Sequence, residues 1–449
     1  MIPQIDLFGS LYGTSAMRRI FSAHERLRAM ARFEAALAQA QSRLGIVPQS
    51  AADAIAAAAA DVDAFDIAAI AAATENVGYP VVPFVKELGK RAGSDAARYV
   101  HWGATTQDVL DTALVLQLRD ALALLETDLR AIVDALAERA RVHRADVMAG
   151  RTHLQHALPT TFGYKVAVWL APLLEQVAGQ EALRARVLRV QFGGAVGTLA
   201  PRGSRGREVT VALADELALA APEAPWHADR SAFATLASAL GVTCGALAKI
   251  AQDVILLMQT EVAEVFEPQA PGRGSSSTMP QKRNPISSEY VLACTRGVHA
   301  LVPLMLTAMP GDHERSTGPW QSEEIALPQI CVLASGAFSQ ARALAEGMTV
   351  DTARMRANLD LTGGLIMSEA VASTLAEPLG NAEAHHVVER ACAAAIAEHR
   401  PLIDVLAEDS AVTVHVNRAG LEALFRPESY LGEADAVVDR VLTRYATLS

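Results

Sequence analysis

The stretch "GRGSSSTMPQKRNP", residues 272–285, sets three serines and a threonine beside Lys282, Arg283 and Asn284 in a chain otherwise rich in Ala and Leu. Hydroxyls, free N–H groups of a Gly/Ser turn, a fixed ammonium and a carboxamide can together stabilise newly formed negative charge. Three more polar stretches interrupt the apolar background: "HWGATTQDVLDTA" (101–113), "GRTHLQHALPTTFG" (150–163) and "HERSTGPWQSEE" (313–324). Each falls at or beside the end of an expected helix. Helix N-termini present unpaired N–H groups and partial positive charge, which suits carboxylates.

Other chemistries fit these residues less well. His153 and His156 lie three apart, but neither HExxH nor CxxC accompanies them, so no metal site is expected. "GRGSSS" lacks the Gly-Lys of a phosphate loop, the strand before a dinucleotide fingerprint and the GxSxG of a hydrolase elbow. Read without function, "GATTQD" is a helix start, with Thr105 or Thr106 capping and Asp108 in the first turn. The serine-rich loop would then be a linker, yet a linker has no use for "MPQKRNP".

The elements that must position these groups are helical. From Ala104 to Ala149 there is no Gly or Pro, and Leu118, Leu122, Leu125, Leu129, Ile132 and Leu136 recur on one face. Asp120, Thr127, Arg130 and Asp134 fall opposite. A helix this long requires lateral packing against others. Further helices are expected over Tyr164–Val177, Glu181–Val190, Ser231–Phe266, Ile286–Met309 and roughly Glu323–Ala345, separated by Gly-, Pro- and Ser-rich connections. Shorter helical segments precede residue 103 and follow about Val350. The expectation is an all-α chain of three helical domains: 1–103, a long-helix bundle over 104–346, and a small domain over 347–449.

Composition agrees. Hydrophobic residues make up 51% of the 449 and aromatics only 5%, which favours close-packed helices over sheets. The net charge of −11 with no basic tract argues against nucleic acid as a partner. A local cationic pocket can still take anionic substrates. Four scattered cysteines read as reduced thiols. No signal peptide and no uninterrupted apolar run of about 18 residues is seen, so no membrane association and a cytoplasmic location are expected.

"SSTMPQKRNP" resembles the GSSxMPxKxNP pattern of the fumarase/aspartase superfamily, with Ser275 where the pattern has Gly. The other polar stretches are similar to that superfamily's remaining active-site segments, in order and spacing. "TSAMRRIF", "QFGGAVGTLA", "LLMQTEVAEVFEP", "LDLTGG" and "YLGEADAVVDRVL" extend the likeness over the whole chain, most closely toward its muconate-lactonizing cycloisomerases. The resemblance implies a homotetramer whose bundle unites long helices of four chains, with active sites shared between subunits and neither metal nor cofactor. It implies removal of a proton next to a carboxylate, an aci-carboxylate intermediate and departure of a β-substituent. Ser276 would be the base and Ser277 a neighbouring substrate contact. Lys282 and Asn284 would clamp a carboxylate. His153 would be the general acid, with Glu289 orienting it. Thr105, Thr106, Thr152 and Gln155 would hold the substrate, with His101 lining the pocket and Arg315 as a bidentate carboxylate partner.

Departures narrow the substrate. Adenylosuccinate lyases carry an Arg-Tyr pair near the N-terminus, absent here, and a Ser and an Arg where this chain has Trp320 and Glu324. A glutamate facing a phosphate is repulsive. A polycarboxylate smaller than a purine nucleotide is therefore favoured. Some proteobacterial carboxymuconate cycloisomerases have Trp in place of His153, since lactonization expels no separate group. The leading expectation is cycloisomerase-like lactonization, and the alternative is a lyase releasing fumarate from a substituted succinate. A catalytically silent relative is disfavoured by the intact Ser276, Lys282, Asn284, His153 and Glu289.

Overall fold

The computed structural model describes residues 5–275 and 278–448. They form a helical chain, and the described strands make two short antiparallel pairs. Contacts divide the chain into a unit of Met1–Asp128, Ala178–Leu247 and Tyr290–Gln340 and a unit of Leu129–Val177, Ala248–Glu289 and Ala341–Ser449. Five long helices, Thr106–Val142, Phe162–Val187, Ser231–Leu257, Ile286–Thr307 and Pro319–Gly347, contribute segments to both.

In the first unit the helix Ala23–Arg43 starts at Ser22, whose side chain accepts from the Glu25 N–H, with Glu25 itself in the first turn. This is the capping-box sequence. Its inward stripe, Leu27, Met30, Phe33 and Leu37, packs with Ile55, Phe84, Leu88, Leu110, Leu213 and Trp320 into one core. The helix Thr106–Val142 has 37 residues, about 55 Å at the α-helical rise. The six leucine and isoleucine positions singled out by periodicity are all buried, whereas Asp120, Thr127 and Asp134 are exposed. Near its start the same helix buries Gln107, Asp108, Asp111 and Thr112. Arg230, 1% exposed, donates to both Asp111 oxygens at 2.8 and 2.9 Å and to both Glu323 oxygens. Its guanidinium also stacks near Trp226 and Phe233.

In the second unit that helix stops at Val142, seven residues short of the Gly-free run's end. The His143 ring bonds the Asp146 carboxylate at 2.7 Å, and Asp146 and His143 carbonyls accept from Phe162 and Gly163. Side chains thus close a turn that neither Gly nor Pro announces. Strand β1 (Val147–Thr152) follows, paired with β2 (Gln155–Thr161). The expected helices 164–177 and 181–190 are one helix, Phe162–Val187, with Pro172 inside it. The expected helix 231–266 ends at Leu257, and Val265–Phe266 (β3) pairs with Thr349–Val350 (β4). A further core gathers Val371, Leu375, Val387, Leu402, Leu406 and Leu421.

Candidate active site

His101, Thr105, Thr106 and Arg315 are half-buried in the first unit, around the start of the 106–142 helix. Asp108 organises this corner. Its Oδ1 accepts from the Gly193 N–H and the His227 Nε2–H at 2.9 and 2.7 Å, and its Oδ2 from the Gly194 and Thr105 N–H groups, both at 2.9 Å. Four donors on one buried carboxylate fasten the loop of "FGGAVG" to the helix start. Gly194 has φ +69, and a β-carbon there would lie 3.1 Å from the Gly103 carbonyl. Only glycine fits easily in that close, left-handed approach. Arg315 donates from Nε to Gln107 Oε1 at 3.0 Å and from Nη2 to the Ala195 carbonyl at 3.1 Å. Gln107 in turn donates to the His227 carbonyl.

His101 has a left-handed backbone, φ 60. Its N–H donates to Glu34 Oε2 at 2.9 Å and its Nδ1 to Glu34 Oε1 at 2.7 Å. Burial works against a charge on the ring, but the charge and hydrogen bond of Glu34, with Asp108 beyond, prevail and raise its pKa.

In the second unit, Thr152, His153 and Gln155 are exposed at the tip of the β1–β2 hairpin. Thr152 faces Gln155 across a two-residue turn of His153 (φ 49) and Leu154 (φ 65). Two successive left-handed residues are the mark of a type I′ turn, whose twist matches the strands. One residue below the tip, Arg151, opposite His156, donates from Nη1 and Nη2 to the Glu264 oxygens at 2.9 and 2.6 Å. Glu264 is 0% exposed and also accepts from Asn358 Nδ2 at 2.7 Å. His156 is held below its usual pKa by burial and by Arg151.

Glu264 also opens the segment leading into the polar loop. Glu267 accepts from the Ser287 and Ser288 N–H groups at 2.9 and 2.7 Å and from the Ser288 hydroxyl at 2.7 Å. A carboxylate thus caps the 286–307 helix, where charge and dipole agree. The loop folds back on itself: Ser275 bridges Arg283, and the Asn284 N–H donates to the Gly274 carbonyl at 3.0 Å. Arg283 lies 5.0 Å from the Phe266 ring centre. Lys282, Asn284, Ser275, Arg273 and Glu267 line a cavity of about 330 Å³. Ser276 and Ser277 lie outside the described residues. Glu289 is exposed in the first turn of the 286–307 helix, and among the described residues no hydrogen bond joins it to His153.

Reading the sequence overlooked Glu34, Glu264 and Glu267 and took Asp108 for an ordinary first-turn residue. The available signal was a carboxylate on an apolar stripe: Glu34 falls between Met30 and Leu37, and Glu264 and Glu267 flank Val265–Phe266.

Residues 12–299 match the family described as Lyase, and residues 364–441 the one described as Adenylosuccinate lyase C-terminus. The chain belongs to the fumarase/aspartase superfamily and is an enzyme of its lyase and cycloisomerase group. It is 46% identical to a 3-carboxy-cis,cis-muconate cycloisomerase of Pseudomonas aeruginosa, over 100% of this chain and 98% of the relative. The solved 3-carboxy-cis,cis-muconate lactonizing enzyme from Pseudomonas putida superposes with a TM-score of 0.94 over 99% of each chain, at 46% identity. A nitrosuccinate lyase of Streptomyces davaonensis is 43% identical over 93% of this chain and 90% of its own.

Proposed function

We propose that this enzyme lactonizes 3-carboxy-cis,cis-muconate. The observation that carries the reading is near-complete, 46% identity to the Pseudomonas aeruginosa cycloisomerase, joined to four polar segments suited to several carboxylates. One substrate carboxylate adds across a double bond, forming the C–O bond. The displaced electron pair spreads onto a neighbouring carboxylate as an aci-carboxylate, and Ser276 delivers a proton to the adjacent carbon. A serine hydroxyl can exchange that proton only where surrounding dipoles stabilise its oxyanion. Lys282, Asn284 and the Ser277 region supply those dipoles and hold the carboxylate. Thr105, Thr106, Thr152, Gln155, His101 and Arg315 bind the other carboxylates. Burial of Trp320 and the exposed carboxylate of Glu324, which would repel a phosphate, support exclusion of a nucleotide phosphate from that corner. Loss of the conjugated-diene absorbance of carboxymuconate, with lactone formed in equal amount, tests the assignment; an inert diene overturns it.

A second reading is a fumarate-forming lyase acting on a substituted succinate. It is favoured by the retained His153 and Glu289 and by likeness to the nitrosuccinate lyase. Fumarate released from nitrosuccinate or an N-substituted aspartate would establish it.

The working form is read as a cytoplasmic homotetramer with active sites shared between subunits, each chain made of lobes 1–103 and 347–449 and the bundle 104–346. Exposed Val168, Val242, Leu306 and Ile325 on long helices support contact between copies. The helices Ser231–Leu257 and Ile286–Thr307 are long and apolar enough to cross a membrane, and the apolar surface that the latter leaves uncovered by its own chain is read as contact with other copies. The His299 ring bonds the Gly241 carbonyl and Thr295 the Cys244 carbonyl, which fits helices packed in a bundle. Sedimentation giving a stable monomer would defeat the assembly and the shared sites together.

A further inference from the structure

Glu34 occupies the inward stripe of the Ala23–Arg43 helix and is 1% exposed. A carboxylate in a core is strongly unfavourable unless its oxygens are bonded. Both oxygens are taken up by one residue: Oε2 by the His101 N–H at 2.9 Å and Oε1 by the His101 ring at 2.7 Å. A carboxylate only accepts, so Nδ1 carries its proton in this pair. The backbone at His101 is left-handed, an uncommon conformation for a residue with a side chain. A buried charge and a left-handed backbone are thus both spent on the orientation of a single imidazole.

We propose that Glu34 is a positioning residue for the reaction. It locks the His101 ring with Nδ1–H inward and, by its charge, favours the imidazolium, whose Nε2–H offers a charged donor to a substrate carboxylate. This rests on the assignment of His101 to the substrate pocket.

The charged groups facing His101 are Glu34, from the 23–43 helix, and Asp108, from the first turn of the 106–142 helix. Asp108 already accepts from Gly193, Gly194, Thr105 and His227, so it acts on the ring through space. Glu34 alone of the two bonds it. When the ring loses its second proton, Nδ1–H stays with Glu34 and Nε2 is left with a lone pair. That lone pair would face a carboxylate and repel it. Substrate affinity is therefore full below the His101 pKa and falls as pH rises through it, and this pKa is raised.

The test substitutes Glu34→Gln in the full-length enzyme. The amide can still accept the His101 N–H but no longer balances a charged ring. His101 is followed by NMR of its labelled imidazole, and kcat/KM for carboxymuconate is measured from pH 6 to 9. The expected result is a His101 titration moved down by at least about one pH unit, with the alkaline limb of kcat/KM moving with it. At pH 8 the loss should be about tenfold and reside in KM, because the interaction binds substrate rather than the transition state alone. A folded variant whose His101 titrates unchanged overturns the proposal. If the titration moves while the limb stays, the placement of His101 against substrate fails instead. The unsubstituted enzyme supplies an arm independent of the variant's folding: a His101 titrating at or below the ordinary value of about 6.5 overturns the proposal.

Discussion

His101 and Thr105 are each gripped directly by a buried carboxylate, whereas His153 and Lys282 stand one step out from theirs. In the first unit Glu34 bonds the His101 ring and Asp108 bonds the Thr105 backbone, so the bonded atoms belong to candidate substrate ligands themselves. In the second unit Glu264 fastens Arg151 and Glu267 fastens Ser287 and Ser288, while His153, Lys282 and Glu289 project from those anchored stems and are exposed. Directly held residues have one orientation and suit fixed recognition of carboxylates. Residues on stems keep rotamer freedom at their tips, which suits groups that must approach a carbon and exchange a proton. The same device, a carboxylate saturated by N–H donors, serves both purposes according to what it is bonded to.

Substitutions can break this contrast. The largest effect is expected for Ser276→Ala, which should lower kcat by at least about 10²–10⁴-fold with no change in the urea unfolding midpoint. Unaltered turnover would remove the serine from the chemistry. Next comes Arg230→Met, which strands Asp111 and Glu323 in the first core. Breaking a buried pair by removing one partner costs about 3–5 kcal/mol, readable in urea unfolding. Arg151→Met should cost less, about 2 kcal/mol, because Asn358 still bonds Glu264. It should nevertheless lower kcat, since the strand next to the hairpin turn is freed; unchanged kcat would mean that this anchor does not position His153. The smallest effect is expected for Gly274→Ala, at φ +66 with a β-carbon 2.7 Å from the Asn284 carbonyl. The left-handed conformation alone costs about 1–2 kcal/mol, and the displaced loop should appear as a raised KM.

The long helix from Thr106 was legible because its burial follows a strict alternation of three and four, from Leu118 to Leu136. Its end was not, because the turn at residues 143–146 is closed by His143 and Asp146, ordinary helix-compatible residues, rather than by Gly or Pro. The join across Gly179 was hidden for the opposite reason. A glycine with open space around it weakens a helix by about 1 kcal/mol and need not end it. The polar segments carrying the candidate ligands stood out as interruptions of an apolar chain. Their supports did not, since Glu34, Glu264 and Glu267 lie far in sequence from most of what they hold or inside apolar stripes. Asp108 could be seen, but its partners at Gly193, Gly194 and His227 lie 85 to 119 residues away. Pairings of that range are fixed by packing, not by local pattern.

The most direct test of the proposed chemistry is hydrogen exchange at carbon. Product lactone incubated with enzyme in deuterated water should lose its hydrogen next to the carboxylate to solvent, and Ser276→Ala should abolish that exchange while leaving the fold intact. Exchange that persists without the Ser276 hydroxyl, or none at all with the intact enzyme under turnover conditions, would contradict a serine-mediated aci-carboxylate mechanism.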